Sequence, residues 1–520
     1  MPRRLIPKCC EVTTMNTLLI DGCWQAGEGE WLVSRNPCND QVLWKKRAAD
    51  EQQAAEAVLA ARKAQPEWAQ KSLMERTSYL SHYADLLNLH RKDLAHVIAL
   101  ETGKPLSECL AEISAMVNKV QISVRSFQQR TGDWFRGDQA LQHRPLGVVL
   151  VLGPFNFPGH LPNGQIVPAL LAGNTVVFKP SEETPWIAEH MVQLWQAAGL
   201  PAGVLNLVQG GSEVGETLCE QAINGVFFTG SSNTGQQLHL QLAGRPEVLL
   251  AMEMGGSNPL IVDQNVDVDA ALDLIIQSAY VTSGQRCTCA RRLLVVESDT
   301  SNRLLGALAH RVRHLSVGAP VLATEAPSEF VHDPESLEPP EWSQQPEPFM
   351  GPVISVAARN RLLGAQARLR SLGAHTLVPM TALDEHSGLI SPGLMDMTVP
   401  WQRDAEIPDE EWFGPLLQVY RVPDMTSALA LANHTRFGLA AGLISNNALV
   451  QQRFRQQIRA GVVSVNAPTA GASSELPFGG VGASGNHRPG AWYTADACVW
   501  PQAVRLGPAQ LSAQITTRAS

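Results

Sequence analysis

Residues 146–153 read LGVVLVLG, an unbroken apolar run that ends at a glycine. Runs of this kind, of about four to eight residues, are typical of parallel strands that are buried on both faces. A second run, TVVFK at 175–179, follows it, and further strands are predicted at 204–208 and 225–229 with a helix at 184–198. This alternation of strands and helices predicts an α/β fold with a doubly wound parallel sheet.

The segments on either side of this sheet predict a second lobe and a helical scaffold. Residues 50–129 carry Ala-rich amphipathic stretches that are typical of helices. A second α/β region begins near Leu249, with strands predicted at 259–262, 292–297 and 416–421. We therefore expect two lobes with a cleft between them, where ligand sites commonly lie.

The composition excludes several classes of protein. The 520 residues are 44% hydrophobic and 17% charged, with a net charge of -9, so the chain lacks the broad positive surface that nucleic acids and anionic membranes attract. No apolar run approaches the roughly 20 residues of a membrane-spanning helix, and the basic start lacks the apolar segment of a secretory signal. Nine cysteines without CxxC pairs argue against disulfides and zinc ribbons. We expect a cytoplasmic protein with reduced thiols and with no nucleic-acid or membrane partner.

Cys287 lies in SGQRCTCA, at a predicted turn between a helical stretch and a strand. A thiolate is a nucleophile, and a cation such as the neighbouring Arg286 can lower the pKa of the thiol. A single cysteine is also compatible with a plain buried side chain. Cys289 makes a metal site conceivable, but no His or Cys stands nearby at ligand spacing, so no metal is predicted.

Two polar residues interrupt apolar surroundings at predicted strand ends. Glu253 lies in AMEMGGSNP, where it is either a structural cap or ion-pair partner or a general base whose pKa burial raises. Asn156 follows the first buried strand in GPFNFP. It is either a turn residue or a side-chain amide that donates to an oxyanion.

A candidate cofactor site follows the strand at 225–229. The sequence FTGSSNTG ends that strand and opens a helix, and a helix N-terminus attracts phosphate. The pattern is not GxGxxG, so a plain strand-to-helix turn is an equal alternative. Lys179 ends the strand at 175–179, and Glu182 follows three residues later. They are either ribose-binding residues at the carboxyl edge of the sheet or ordinary surface residues.

Taken together, these motifs resemble the aldehyde dehydrogenase superfamily over nearly the whole chain. The motifs that carry the resemblance stand in the superfamily's order and approximate spacing: GPFNFP, GNTVVFKPSEETP, FFTGSSNTG, EMGGSNP, SGQRCTCARR, EEWFGP and PFGGVGASG. The resemblance implies a Rossmann-like cofactor domain, an α/β catalytic domain and a small oligomerisation hairpin. The implied boundaries are 15–130 and 146–252 for the NAD-binding domain, 253–480 for the catalytic domain, 131–145 and 481–505 for the oligomerisation element, and 1–14 and 506–520 for flexible tails.

The resemblance also implies roles for individual residues. Cys287 attacks the aldehyde and forms a thiohemiacetal, whose oxyanion accepts from the Asn156 amide and the Cys287 backbone N–H. Hydride passes to NAD, and Glu253 activates the water that hydrolyses the thioester. The implied NAD-binding residues are Gly230, Ser231, Ser232, Asn233, Thr234 and Gly235 at the pyrophosphate, Lys179 and Glu182 at the adenine ribose, and Glu411 with Phe413 at the nicotinamide ribose.

The segments GQRCTCARRLLV and GASGNHRPGAWYTADACVWP resemble the branch of the superfamily that oxidises an N-succinylated semialdehyde of glutamate in arginine catabolism. Glutamate or succinate semialdehyde, with NAD or NADP, is the alternative. An acidic substrate requires cations or backbone N–H groups at the entrance. Arg286, Gly471, Ser473 and His487 are the candidates, although His487 is equally suited to a subunit interface.

Two other classes of function compete with this interpretation. A cysteine hydrolase requires a histidine base beside Cys287, and the family pattern offers none. A non-catalytic relative is disfavoured because Cys287, Glu253 and Asn156 are all present. The resemblance further implies a homodimer or a higher homo-oligomer.

The chain departs from the family pattern at a few places. The acidic stretch 319–350 is longer than the usual connection and is expected to loop outward, and residues 1–14 have no counterpart, so Met15 is an alternative start. Ser257 and Gly490 stand where Asn and Ser are usual. Both are expected to lie away from the catalytic residues.

Overall fold

A computed structural model describes residues 15–321, 346–486 and 490–507. The predicted α/β class is confirmed, because two mixed seven-stranded sheets with helices packed on them form the body of the protein. The strands in chain order are β1 (Asn16–Ile20), β2 (Cys23–Ala26), β3 (Trp31–Arg35), β4 (Val42–Arg47), β5 (Trp134–Arg136), β6 (Gln139–Pro145), β7 (Val148–Leu152), β8 (Thr175–Lys179), β9 (Leu205–Leu207), β10 (Gly225–Gly230), β11 (Leu249–Met254), β12 (Asn258–Val262), β13 (Ala290–Val296), β14 (His375–Val378), β15 (Gly393–Asp396), β16 (Leu416–Val422), β17 (Ala440–Ile444), β18 (Val462–Val465), β19 (Pro477–Phe478), β20 (Gly490–Ala491) and β21 (Val499–Arg505).

The helices connect these strands and cover both sheets. In chain order they are α1 (Glu51–Gln70), α2 (Leu73–Leu89), α3 (Arg91–Thr102), α4 (Leu106–Arg130), α5 (His160–Ala172), α6 (Pro185–Ala197), α7 (Ser212–Glu220), α8 (Ser232–Gln241), α9 (Val268–Ala279), α10 (Asp299–Arg313), α11 (Val356–Ser371), α12 (Thr398–Gln402), α13 (Met425–Asn433), α14 (Ala448–Gln457) and α15 (Thr494–Ala497). Every helix in the described ranges is too short or too polar to cross a membrane.

The first sheet has the strand order β11-β10-β7-β8-β9-β1-β2. Its strands from β11 to β9 are parallel, and β1 and β2 close one edge in antiparallel pairing. The apolar residues of β7 and β8 are buried on both faces, as the continuous runs predict. The carboxyl ends of β8, β7, β10 and β11 therefore lie side by side along one edge of the sheet.

The second sheet has the strand order β14-β15-β16-β13-β12-β17-β18 and is parallel except for β14. Burial of aliphatic residues on both faces of β12, β13 and β17 explains why these strands read as apolar runs. The segment that carries Cys287 connects α9 to β13, so this sheet fixes its position.

A third, three-stranded antiparallel sheet has the order β21-β6-β5. Strand β21, near the carboxyl terminus, pairs along the whole of β6, far away in sequence. Large hydrophobic side chains on this sheet are exposed, namely Trp134, Phe135 and Trp500. Four parts of the sequence predictions lie outside the described residues: the predicted tail 1–14, residues 508–520 of the predicted tail 506–520, most of the acidic stretch 319–350, and His487.

Candidate active site

One cavity of about 1520 Å³ receives side chains from both large sheets. Asn156 follows β7, Glu253 stands near the end of β11, and Cys287 precedes β13, and all three line this cavity. The structure therefore brings together the three residues predicted to be catalytic, although they come from distant parts of the chain. No group of at least three His, Cys, Asp or Glu residues suited to a metal occurs in the described ranges.

The Cys287 segment is held in place by its backbone. Thr282 and Ser283 adopt left-handed conformations, with φ of 52° and 54°, which non-glycine residues adopt only when their surroundings enforce them. The Asn258 side-chain amide donates to the carbonyls of Cys287 and Cys289, at 2.7 Å and 2.9 Å. Asn258 is a positioning residue that the sequence analysis did not identify, and its place in the EMGGSNP motif was the available signal.

The electrostatic surroundings of Cys287 favour the neutral thiol. Burial, followed by the charges of Glu411 and Glu253, raises the pKa of the thiol to about 12. Arg286 does not counteract this, because its guanidinium pairs with Glu108 at 3.1 Å. The expectation that Arg286 activates the thiol is therefore wrong, because the guanidinium of this neighbouring residue pairs with Glu108 instead.

Asn156 lies in a loop that is anchored on both sides. Its side-chain Nδ2 donates to the Gln285 carbonyl at 2.9 Å, beside Cys287. Its own carbonyl accepts from Lys104 Nζ at 2.9 Å. A primary amide carries two N–H donors, so one N–H of Asn156 fixes its orientation against Gln285 and the other remains for a ligand in the cavity.

Glu253 is a buried carboxylate whose two oxygens make no close hydrogen bond within the described residues. Burial raises its pKa well above the ordinary value. A Cβ added to Gly490 would lie 2.7 Å from Glu253 Oε1. The expectation that position 490 lies away from the catalytic residues is therefore wrong, because Gly490 forms part of the wall against which Glu253 rests.

The other end of the cavity contains the first turn of α8. Gly230, Ser231 and Thr234 line it, and Ser231 Oγ caps the helix by accepting from the Thr234 N–H at 3.1 Å. Ser232 and Asn233 belong to the same turn but do not line the cavity. Gly235 is buried, and a Cβ there would lie 2.2 Å from Met254 Sδ. Its role is the close packing of α8 against β11.

Lys179 and Glu182 also line the cavity. Lys179 Nζ donates to the carbonyls of Pro180 and Gly210, at 2.8 Å and 2.7 Å, and is 3.8 Å from Glu182. Burial lowers the pKa of Lys179. The Glu182 side chain is 52% exposed, so its carboxylate is accessible to a ligand hydroxyl.

Glu411 and Phe413 reach the cavity from the loop before β16. Burial raises the pKa of Glu411 to about 7, and its Oε1 has no hydrogen-bond partner within the described residues. A Cβ on Gly255 would lie 1.9 Å from Glu411 Oε2, so a glycine is required for this close approach. The Phe413 ring packs edge-on against Phe155, with centroids 5.9 Å apart.

The predicted substrate residues Arg286, Gly471 and Ser473 also line the cavity. Besides Glu108, the Arg286 guanidinium contacts the Ala470 carbonyl at 3.1 Å. It lies over the ring of Phe157, 5.1 Å from the ring centroid. Arg286 is thus fixed by protein groups before any substrate arrives.

Helix α4 supplies residues that the sequence analysis missed. Glu108, Glu112 and Lys119 share one face of this helix and line the cavity. Glu112 forms a buried ion pair with Lys104 and accepts from the His160 N–H at 3.0 Å. The available signal was charged residues at helical spacing among apolar ones, because such residues need a partner when they are buried.

The fold agrees with comparisons to known proteins. The family model described as the aldehyde dehydrogenase family matches residues 24–504. The chain belongs to the aldehyde dehydrogenase family.

Two curated relatives bear the name N-succinylglutamate 5-semialdehyde dehydrogenase. One, from Yersinia pestis bv. Antiqua (strain Angola), is 51% identical over 494 residues, covering 94% of this chain and 92% of the relative. The other, from Escherichia coli O139:H28, is 48% identical over 492 residues, covering 94% and 95%.

Solved structures of the same family share the fold. Betaine aldehyde dehydrogenase of Staphylococcus aureus in complex with NAD+ matches with a TM-score of 0.83 and 26% identity over 95% of this chain and 96% of that one. NADP-dependent glyceraldehyde-3-phosphate dehydrogenase of Bacillus halodurans, complexed with NADP, matches with a TM-score of 0.83 and 26% identity over 95% and 100%. The predicted family and its fold are therefore confirmed.

Proposed function

We propose that the protein oxidises N-succinyl-L-glutamate 5-semialdehyde to N-succinyl-L-glutamate with NAD, a step of arginine catabolism. The observation that carries this proposal is that Cys287, Asn156 and Glu253 meet in one cavity of a chain about half identical to relatives with that substrate in their name. The nearest alternative is the same oxidation of glutamate or succinate semialdehyde, which differs only in what the substrate end of the cavity must bind.

The residues at the cofactor end suit a nicotinamide dinucleotide. The capped N-terminus of α8 offers N–H groups to a pyrophosphate. The exposed Glu182 carboxylate suits ribose hydroxyls and repels the 2′-phosphate of NADP, which supports NAD as the cofactor. Glu411 Oε1 lacks a hydrogen-bond partner within the described residues, and a second ribose would supply one. When bound, the nicotinamide accepts hydride.

The catalytic residues act on the aldehyde in sequence. The Cys287 thiol passes its proton to solvent water in the cavity, and the thiolate forms a bond with the aldehyde carbon while the carbonyl π electrons move onto the oxygen. The resulting oxyanion accepts from the Asn156 amide and the Cys287 N–H, and one such donor contributes about 3 kcal/mol. After hydride has left the carbon, Glu253 takes a proton from water, which attacks the thioester and releases the Cys287 thiolate and the acid.

Purified protein with each of the three semialdehydes, and with NAD or NADP, tests the proposal. We expect NADH to form fastest with the succinylated substrate, and Cys287→Ala to abolish the reaction. A preference for glutamate or succinate semialdehyde would refute the proposed substrate and retain the chemistry. A protein inactive with every verified aldehyde would refute the chemistry itself.

We further propose that the protein forms a homodimer or a higher homo-oligomer. We also propose that it has the NAD-binding domain, catalytic domain and oligomerisation element that the family resemblance implies. The sheet of β5, β6 and β21 exposes Trp134, Phe135 and Trp500, and an apolar surface of this kind suits a subunit contact. Phe135→Asp should shift the protein from homodimer or higher oligomer to monomer in analytical ultracentrifugation. An unchanged mass would refute this interface. The cytoplasmic location stays a prediction.

A further inference from the structure

Lys119 is a buried cation in the wall of the active-site cavity. Its side chain is on the cavity face of α4, and the residue is only 2% exposed. Its Nζ donates to the Ala491 carbonyl at 2.9 Å. Within the described residues, no carboxylate lies within 4.0 Å of this ammonium. An ammonium has three N–H donors, so the protein leaves most of its hydrogen-bonding capacity available.

The other charged residues on the same face of α4 are paired. Glu108 pairs with Arg286, and Glu112 pairs with Lys104. Lys119 differs because its one identified contact is with a neutral carbonyl. A buried charge without a counter-ion is destabilising, and burial accordingly lowers the pKa of Lys119 to about 8. An anion that enters the cavity would supply the missing partner.

The position of Lys119 relates it to the reacting groups. Its acceptor, Ala491, follows Gly490, which lies against the carboxylate of Glu253. An anionic group held by Lys119 would therefore lie at the catalytic end of the cavity, on the side of Gly490 and Glu253. Arg286 is a weaker candidate for this task because Glu108 already neutralises its guanidinium.

We propose that Lys119 determines substrate specificity by binding a carboxylate of the aldehyde substrate. This inference rests on the proposed function and deepens it. N-succinylglutamate 5-semialdehyde carries a carboxylate on its α-carbon and another at the end of its succinyl group, so it needs a cation that the protein has not already paired. A charge-assisted hydrogen bond from a desolvated ammonium is stronger than a neutral one. It also excludes uncharged aldehydes, which would leave the ammonium without a partner.

The test compares an acidic aldehyde with pentanal, which is uncharged, in the full-length enzyme with NAD. Lys119→Met removes the charge and the bond to Ala491, whereas Lys119→Gln removes the charge and retains a donor for that carbonyl. We expect both variants to lose on the order of 100-fold in kcat/KM for the acidic aldehyde, mainly through KM. Their kcat/KM for pentanal should change less than about 3-fold. Lys119→Arg should recover part of the loss.

Lys63→Met is the matched control, because it removes an ammonium whose side chain is 82% exposed. It should leave both substrates unaffected. Equal losses of kcat/KM for the acidic aldehyde and pentanal in Lys119→Gln would overturn the inference, since they would show that Lys119 only supports the fold of the cavity. If Lys119→Met does not fold, Lys119→Gln decides the question.

The same experiment separates this inference from the proposed substrate. A wild-type enzyme that prefers another acidic semialdehyde refutes the proposed substrate, and the comparison with pentanal is then made with that semialdehyde. A selective loss in the Lys119 variants supports the role of Lys119 in either case. A wild-type enzyme without any preference for acidic aldehydes over pentanal overturns both.

Discussion

The two ends of the cavity are built in different ways. The proposed cofactor end uses short segments at the carboxyl ends of parallel strands of one sheet, where Lys179 ends β8 and Ser231 follows β10. The substrate end uses side chains from α4, such as Glu108 and Lys119, which reach across to the segments at Arg286 and Ala491. The proposed cofactor end is therefore formed largely by local backbone geometry, whereas the proposed substrate end is formed by long-range side-chain contacts.

The largest effect is expected where the two ends meet, at Cys287. Cys287→Ala removes the nucleophile and should lower kcat by about 10⁴-fold or more. Affinity for NAD should stay within about 3-fold of wild type, because one missing contact changes binding by little. Calorimetric titration with NAD and the rate of NADH formation measure the two effects. A variant that also loses NAD would show that the two ends are not separable.

Glu253→Gln should lower kcat by about 10²- to 10⁴-fold, the usual contribution of a general base. Only ionised Glu253 accepts a proton, and burial raises its pKa well above the ordinary value. The wild-type rate of thioester hydrolysis should therefore rise as the pH rises through that raised pKa. The Glu253→Gln variant should not show this pH-dependent rise.

Intact-mass spectrometry provides an independent check of Glu253. Because the proposed mechanism has Glu253 act after the thioester has formed, the Glu253→Gln variant should accumulate an enzyme acylated at Cys287. A slow variant with no acylated enzyme would contradict the assignment, since it would place the defect before the thioester. Cys287→Ala is the control, because it cannot be acylated at this position.

Asn156→Ala should lower kcat by about 10²- to 10³-fold, as expected for the loss of one oxyanion donor. The Asn156 side-chain amide also donates a hydrogen bond to the Gln285 carbonyl, two residues before Cys287. Part of the loss in kcat will therefore come from a shift of the Cys287 segment. Asn156→Asp retains the shape and places a negative charge against the oxyanion, so it should be no more active than the alanine variant. Steady-state kinetics with saturating NAD measure both, and an active Asp variant would contradict the role.

The sequence predicted the strands and turns beside α8 better than the side-chain contacts around α4, for physical reasons. Strand β8 was predicted at its observed bounds, and the turn at Ser231 was identified, because apolar periodicity and a strand-to-helix turn are local patterns. The partner of Arg286 was not predictable, since it depends on how α4 packs against the second sheet. The contact between Gly490 and Glu253 likewise exists only after distant segments have met. Lys119 was missed for the same reason.

The smallest effect is expected at the cofactor end, where Gly235 lies inside α8. Alanine normally stabilises a helix relative to glycine by roughly 0.5 to 1 kcal/mol. Here the added Cβ would lie 2.2 Å from Met254 Sδ, so α8 must shift or Met254 must repack. We expect Gly235→Ala to destabilise the fold by about 1 to 3 kcal/mol. Because the proposed pyrophosphate site lies at the N-terminus of α8, the KM for NAD should rise by about 10-fold, with little change in the KM for the aldehyde.

Gly306→Ala is the matched control for this prediction. Gly306 lies inside α10, and nothing stands within 4 Å of the position its Cβ would occupy. This variant should gain the roughly 0.5 to 1 kcal/mol expected for alanine in a helix, with an unchanged KM for NAD. Thermal unfolding and steady-state kinetics measure both variants. A Gly235→Ala enzyme as stable as the control, with normal NAD kinetics, would show that the cofactor end tolerates a backbone shift. That result would contradict the proposed difference between the two ends of the cavity, because the difference requires NAD binding to depend on the local geometry of α8.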